Sequence, residues 1–183
     1  MKNLKNTERG FTLIELLIVI GIIGFLAAAV LVAVDPVKRI QDARDARRYS
    51  EANALLNAIL NKQVDARALY DGDGIAPIIT HATNSQVIIS GTPGAGDCAA
   101  AGTAPLCPTQ TLSALTEDCE ADLGSLAPDY IAAIPLDPGG ATPGTGPAIG
   151  ANNSGYYIHR TTGDRIEIGS CWPEQAAAIS VKR

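Results

Sequence analysis

From Phe11 to Val34 the chain runs 24 residues (FTLIELLIVIGIIGFLAAAVLVAV) with one charge, Glu15, and no polar face. A helix of that length spans roughly 36 Å, more than the roughly 30 Å hydrocarbon core of a bilayer. An element that is apolar all round is buried in protein or lipid rather than lying half-wet on a surface. Asp35-Pro36 follows, and proline removes a backbone donor and restricts the residue before it, so the helix is expected to kink or break there. The pattern then turns charged: Val37 to Tyr49 alternates in sign, with Lys38 and Asp42, and Arg47 and Glu51, each four apart. This suits a water-exposed or interfacial helix. Ala52, Leu55, Leu56, Ile59, Leu60 and Val64 then recur at three- and four-residue spacing, one stripe able to cover a sheet or a neighbouring helix. One long helix, kinked near Pro36, is expected from Phe11 to about Arg67.

Beyond Asp71 the texture changes to Gly, Pro, Thr and Ala with short apolar runs, the pattern of a loop-rich domain. Val87 to Ile89 predicts a strand and Leu112 to Leu126 a second helix. Tyr156 to Arg160 and Arg165 to Gly169 flank the polar turn Thr161-Thr162-Gly163-Asp164 and predict a hairpin, with a last strand near Ala177 to Val181. The fold class is α+β: a long N-terminal helix packed on a small antiparallel sheet. Four segments are expected: 1–10 as a polar leader, 11–34 as the transmembrane helix, 35–67 as its amphipathic continuation and 68–183 as a globular domain.

Composition narrows the function classes. The chain of 183 residues has a formal net charge of -5. Without Lys2, Lys5, Glu8 and Arg9 the remainder holds 11 basic against 18 acidic residues, a charge of -7. Phosphate binding needs concentrated positive charge, so no nucleic-acid partner is expected. No nucleophile–base set or metal cluster stands out, so neither enzyme activity, cofactor nor metal is expected. Asp71-Gly72-Asp73-Gly74 lacks the later acidic ligands of a calcium loop and reads as a turn, and Gly91 to Gly96 lacks the Lys and Ser/Thr of a phosphate loop. His159 reads as a strand residue. The even number of Cys98, Cys107, Cys119 and Cys171 suits two disulfides, with free thiols the next reading and a zinc site, which their wide spacing and the presence of only His81 and His159 disfavour, the third; the pairing taken is Cys98 with Cys107 and Cys119 with Cys171, one of three connectivities.

The informative order is a basic segment, Gly10, Phe11, Glu15 and then unbroken apolar helix. Glycine before a cut offers an unhindered backbone, and cleavage there exposes a new amine on Phe11. A carboxylate in a spanning segment costs about 2.5 to 3.5 kcal/mol, while the Phe, Leu, Ile and Val residues of this one contribute roughly 5 to 10 kcal/mol. Insertion survives Glu15, whose presence still calls for a partner, and an amine is the natural one. Gly21, Gly24 and Ala28 fit either close helix contacts or mere composition.

The stretch GFTLIELLIVIGIIGFLAA resembles the class III signal of type IV prepilins and type II secretion pseudopilins. Ser125 to Glu174 is similar to the C-terminal half of pseudopilin-like proteins, whereas Pro36 lies beyond the usual position of a pilin's helix proline. The resemblance implies cleavage after Gly10 by a prepilin peptidase and methylation of the Phe11 amine by the same enzyme. It further implies assembly into a homo-oligomeric helical filament by a cytoplasmic ATPase and a platform membrane protein. Localisation would be the inner membrane, then a surface or periplasm-spanning filament. The subunit of a pilus, a pseudopilin of a secretion or DNA-uptake machine, and a minor ligand-binding tip pilin all remain open at this point.

Overall fold

The computed structural model describes residues 10–73, 76–78, 84–90, 107, 110, 119–139 and 153–183. Gly91 to Gly96 and Cys98 lie outside them. The chain forms two compact units, 1–40 and 41–183. The first holds helix α1, Leu13–Val34, of 22 residues. None of its residues is buried by the protein. It ends where Asp35 turns left-handed at φ 43. Asp35 then serves the next helix, α2, Pro36–Ala66: its Oδ1 accepts from the Lys38 N–H at 3.3 Å, and its carbonyl from Arg39. Proline at the first helical position gives up an N–H that would have had no partner there. The expected interruption near Pro36 and the end near Arg67, which is left-handed at φ 52, are both observed.

In the second unit five strands form one sheet in the order β4-β3-β5-β6-β7. These are β3 Gln86–Ile89, β4 Glu120–Asp122, β5 Tyr156–Arg160, β6 Ile166–Ser170 and β7 Ser180–Lys182. A small ladder, β1 Gly72–Asp73 with β2 Ala76–Pro77, forms a separate two-stranded sheet beside β4. The predicted hairpin is the centre of the sheet, with Tyr157 opposite Gly169 and Ile158 opposite Ile168. Its turn closes through Asp164 N–H to the Thr161 carbonyl and Thr161 N–H to the Arg165 carbonyl. Not every pair is antiparallel: β3 and β4 run parallel, which the long connection between them permits. The helix expected over Leu112 to Leu126 is corrected in its described part, which is β4 followed by a 3-10 turn at Gly124–Leu126; residues 111–118 lie outside the described set. Short apolar runs do not distinguish a buried strand from a helix.

Alternation along the strands makes two faces. Ile88, Tyr156, Ile158, Ile166, Ile168 and Val181 meet Leu55, Leu56 and Ile59 of α2 in the main core. Val87 and Tyr157 face the other way, clustered with Cys107, Cys119 and Cys171 and covered by Trp172. The stripe on α2 thus packs as expected except at Val64, which is 73% exposed, while Ala58 is buried instead. Val64 falls past the last turn that the sheet covers.

Candidate assembly site

The N-terminal site starts with a chain that is not yet helical. Gly10, Phe11 and Thr12 precede α1, Phe11 is exposed, and nothing lies within 4 Å of where a Cβ on Gly10 would be. Thr12, extended at φ -80 and ψ 151, is the N-cap. Its Oγ1 accepts from the Glu15 N–H at 3.3 Å, and the Glu15 carboxylate accepts from the Thr12 N–H at 2.9 Å and the Thr12 hydroxyl at 2.8 Å. This is a reciprocal capping box, which satisfies two donors that a helix start otherwise leaves free. Glu15 is therefore engaged by its own helix end, where its charge also opposes the positive end of the helix dipole. The signal for this cap, Thr-x-x-Glu ahead of an apolar run, is present in the sequence at Thr12 and Glu15.

Behind the cap α1 is apolar on every side, with an open groove lined by Ile23, Leu26, Val30 and Val34. Its 22 residues span roughly 33 Å, close to a bilayer's hydrocarbon thickness. It is the membrane-crossing candidate among the described residues. Gly21 and Gly24 stand on this helix with open space around them.

The charged stretch of α2 departs from the wet helix expected over Val37 to Tyr49. Asp45 and Arg48 are buried, Arg48 to 1% exposure, and they fasten two distant segments to α2. Arg48 donates through Nε and Nη2 to both oxygens of Asp137 (2.7 and 2.8 Å), through Nη1 to Asp45 (2.7 Å) and through Nη2 to Glu174 (3.0 Å). Asp45 accepts in addition from the backbone N–H groups of Glu174, Gln175 and Ala176 at 3.0, 2.7 and 2.9 Å. Burial by itself raises the Asp45 carboxyl, but these N–H groups and Arg48 outweigh it and hold the carboxyl below the ordinary value. A Cβ on Gly139 would stand 2.6 Å from Arg48 Nη2 and 3.0 Å from Asp137 Oδ1, so a larger residue there displaces members of this cluster. Arg47 pairs with Glu51 at 2.7 Å as the i,i+4 spacing predicted, and Glu51 also accepts from the buried Tyr156 hydroxyl.

The cysteine pairing is corrected. Cys107 is bonded to Cys171, not to Cys98, and Cys119 is therefore not bonded to Cys171. Cys119 is also in a disulfide. Chain order misled because the outer sheet face, rather than spacing, brings Cys107 and Cys171 together. Asp71 pairs with Arg160 at 2.6 Å, and where a turn was expected Gly72 and Asp73 form strand β1; Gly74 lies outside the described residues. His159 lies in β5, where Nδ1 meets the Asn84 carbonyl at 2.7 Å; a carbonyl only accepts, so that nitrogen carries the proton. Among the described residues no three His, Cys, Asp or Glu side chains are grouped to hold a metal ion.

These features define a class: an α+β protein with an unburied apolar N-terminal helix and a disulfide-bonded sheet unit, consistent with a pilin fold. Residues 5–31 match the family described as a prokaryotic N-terminal methylation motif. The chain is similar to a fimbrial protein of Moraxella nonliquefaciens, 36% identical over 97 residues, a match covering 50% of this chain and 61% of that protein. No solved structure matches the chain.

Proposed function

We propose that this chain is a structural, non-enzymatic subunit of a type IV pilus or a related filament. The observation that carries the reading is a methylation motif at the start of a helix that is apolar all round and has no buried residue. Such a helix must lie in lipid or against other helices, and a filament subunit uses both in turn. In this reading residues 1–10 are the leader, 11–34 the transmembrane and packing helix, 35–67 its amphipathic continuation and 68–183 the displayed domain. A prepilin peptidase cuts after Gly10 and methylates Phe11. An ATPase and a platform protein then move the subunit from the inner membrane into a homo-oligomeric filament. Glu15 takes the Phe11 amine of an adjoining copy as its partner, because a dry bundle strongly disfavours an unpaired charge and so selects one stagger.

Mass spectrometry of the N-terminus tests processing: a chain starting at methylated Phe11 is expected, and one retaining Met1 overturns the reading. Glu15→Ala should insert normally yet reduce filament yield per processed chain severalfold by sedimentation, and an unchanged yield removes the pairing role. The likeness of Ser125 to Glu174 to pseudopilin-like proteins supports a second reading, a subunit of a short secretion or DNA-uptake filament. Immunolabelled electron microscopy separates the two, since label along long surface fibres is expected only of a pilus subunit.

A further inference from the structure

Thr12 stands two residues after the proposed cleavage point, and its hydroxyl ends the extended backbone there. The first helical carbonyl is its own, which accepts from the Leu16 N–H at 3.3 Å. Gly10 and Phe11 consequently stay outside the helix and exposed. Hydrolysis adds water across the Gly10–Phe11 amide: the C–N bond breaks, oxygen joins the Gly10 carbonyl carbon, and carboxylate and ammonium result. A peptidase needs that amide reachable and free of helical hydrogen bonding. Upstream, the next residues of good N-cap type are Gly10 itself and Thr7. A helix begun at either draws the Gly10–Phe11 peptide into its first turn, where the Gly10 carbonyl accepts from Ile14. The long apolar helix behind favours such extension, because each added residue gains a bond once the helix is nucleated. Two features oppose it, the Thr12–Glu15 capping box and the poor helix propensity of Gly10.

We propose that Thr12 is a positioning residue for leader removal: by capping α1 it sets the helix start at Leu13 and presents the Gly10–Phe11 peptide in extended form. The proposal rests on the processing reading above and adds the device that keeps the bond available. Thr12→Val keeps the branched shape without an acceptor, whereas Thr12→Ser and Thr12→Asn keep an N-cap. The test uses the full chain in liposomes of phosphatidylethanolamine and phosphatidylglycerol with a prepilin peptidase, cleavage being followed by mass. Thr12→Val should be cut about fivefold more slowly, corresponding to roughly 1 kcal/mol of lost cap, and Ser and Asn within about twofold of the parent. Hydrogen exchange at the Ile14 amide, which gains the Gly10 carbonyl as acceptor when the helix extends, should slow in Thr12→Val alone, a change that general damage to the protein would not produce. Equal cutting of Thr12→Val, or Ser and Asn as slow as Val, overturns the capping role while the processing reading stands. A parent chain left uncut at Gly10–Phe11 overturns the processing reading itself.

Discussion

Among the described residues, Arg48 is the side chain on which most of the globular unit's buried charge converges. Two carboxylates that are almost wholly out of water, Asp45 and Asp137, and a third that is partly so, Glu174, surround one guanidinium whose planar fork meets Asp137 with two parallel bonds. Such a cluster is weak evidence of net stabilisation, because desolvation offsets the attraction, but removing one member leaves stranded charge. Arg48→Ala should therefore cost about 3 to 5 kcal/mol, read as a large drop in the thermal midpoint of the detergent-solubilised chain. Arg48→Lys should recover little of the loss, since an ammonium cannot reproduce the fork toward Asp137. Its stability matching the parent's would show that point charge alone suffices.

At the scale of elements, α2 and the β5–β6 hairpin carry the core, and the disulfide fixes what lies on the far face of the sheet. Cys107 and Cys171 are both fully buried beside Val87 and Tyr157. The bond closes a loop of sequence separation 64, which in the chain-entropy account stabilises the fold by about 4 kcal/mol. Non-reducing peptide mapping should recover the Cys107–Cys171 linkage. Cys171→Ser should lower the thermal midpoint markedly, whereas addition of reductant to the folded parent should act slowly because neither sulfur is exposed. Rapid reduction without prior unfolding would contradict that burial. The hairpin was readable because alternation and a polar turn lie within one short stretch. The β4 strand was not, since three residues take their strand form only from pairing with Val87 to Ile89.

For the molecule as a whole, titratable groups that tie separate segments together set the pH range of stability. Asp45, on α2, sits below its ordinary 3.8 for the reasons given above. Glu167 sits below its ordinary 4.5: burial raises it, but hydrogen bonding and attraction from Lys182 and hydrogen bonds from Ser180 and Tyr157 outweigh that. A carboxyl depressed on folding stabilises the fold fully above its unfolded value and loses that contribution as pH falls through its folded value. Burial and the nearby Glu167 charge push the Tyr157 hydroxyl up to about 12, with burial first. That contribution is complete below the unfolded value near 10 and is lost as pH rises through the folded one. The thermal midpoint should be nearly flat from about pH 5 to 9 and fall on both sides. Asp45→Asn should flatten the acid limb, and an unaltered limb would remove Asp45 from the account.

What the sequence by itself determined lies where neighbours in the chain are also neighbours in space. The membrane-length helix, the break at Asp35-Pro36, the Thr12–Glu15 cap, the α2 stripe and the 156–170 hairpin follow from short-range sterics, hydrogen bonding and periodicity. Tertiary structure alone decided that Arg48 and Asp45 are buried, that Cys107 meets Cys171, that β4 is a parallel strand and that Val64 is left in solvent. Arg48 and Asp137 are 89 residues apart in the chain, and no local pattern encodes such a pair. Charge, disulfide bonding and burial at these positions depend on which surfaces the sheet brings together, and that is a property of the folded chain.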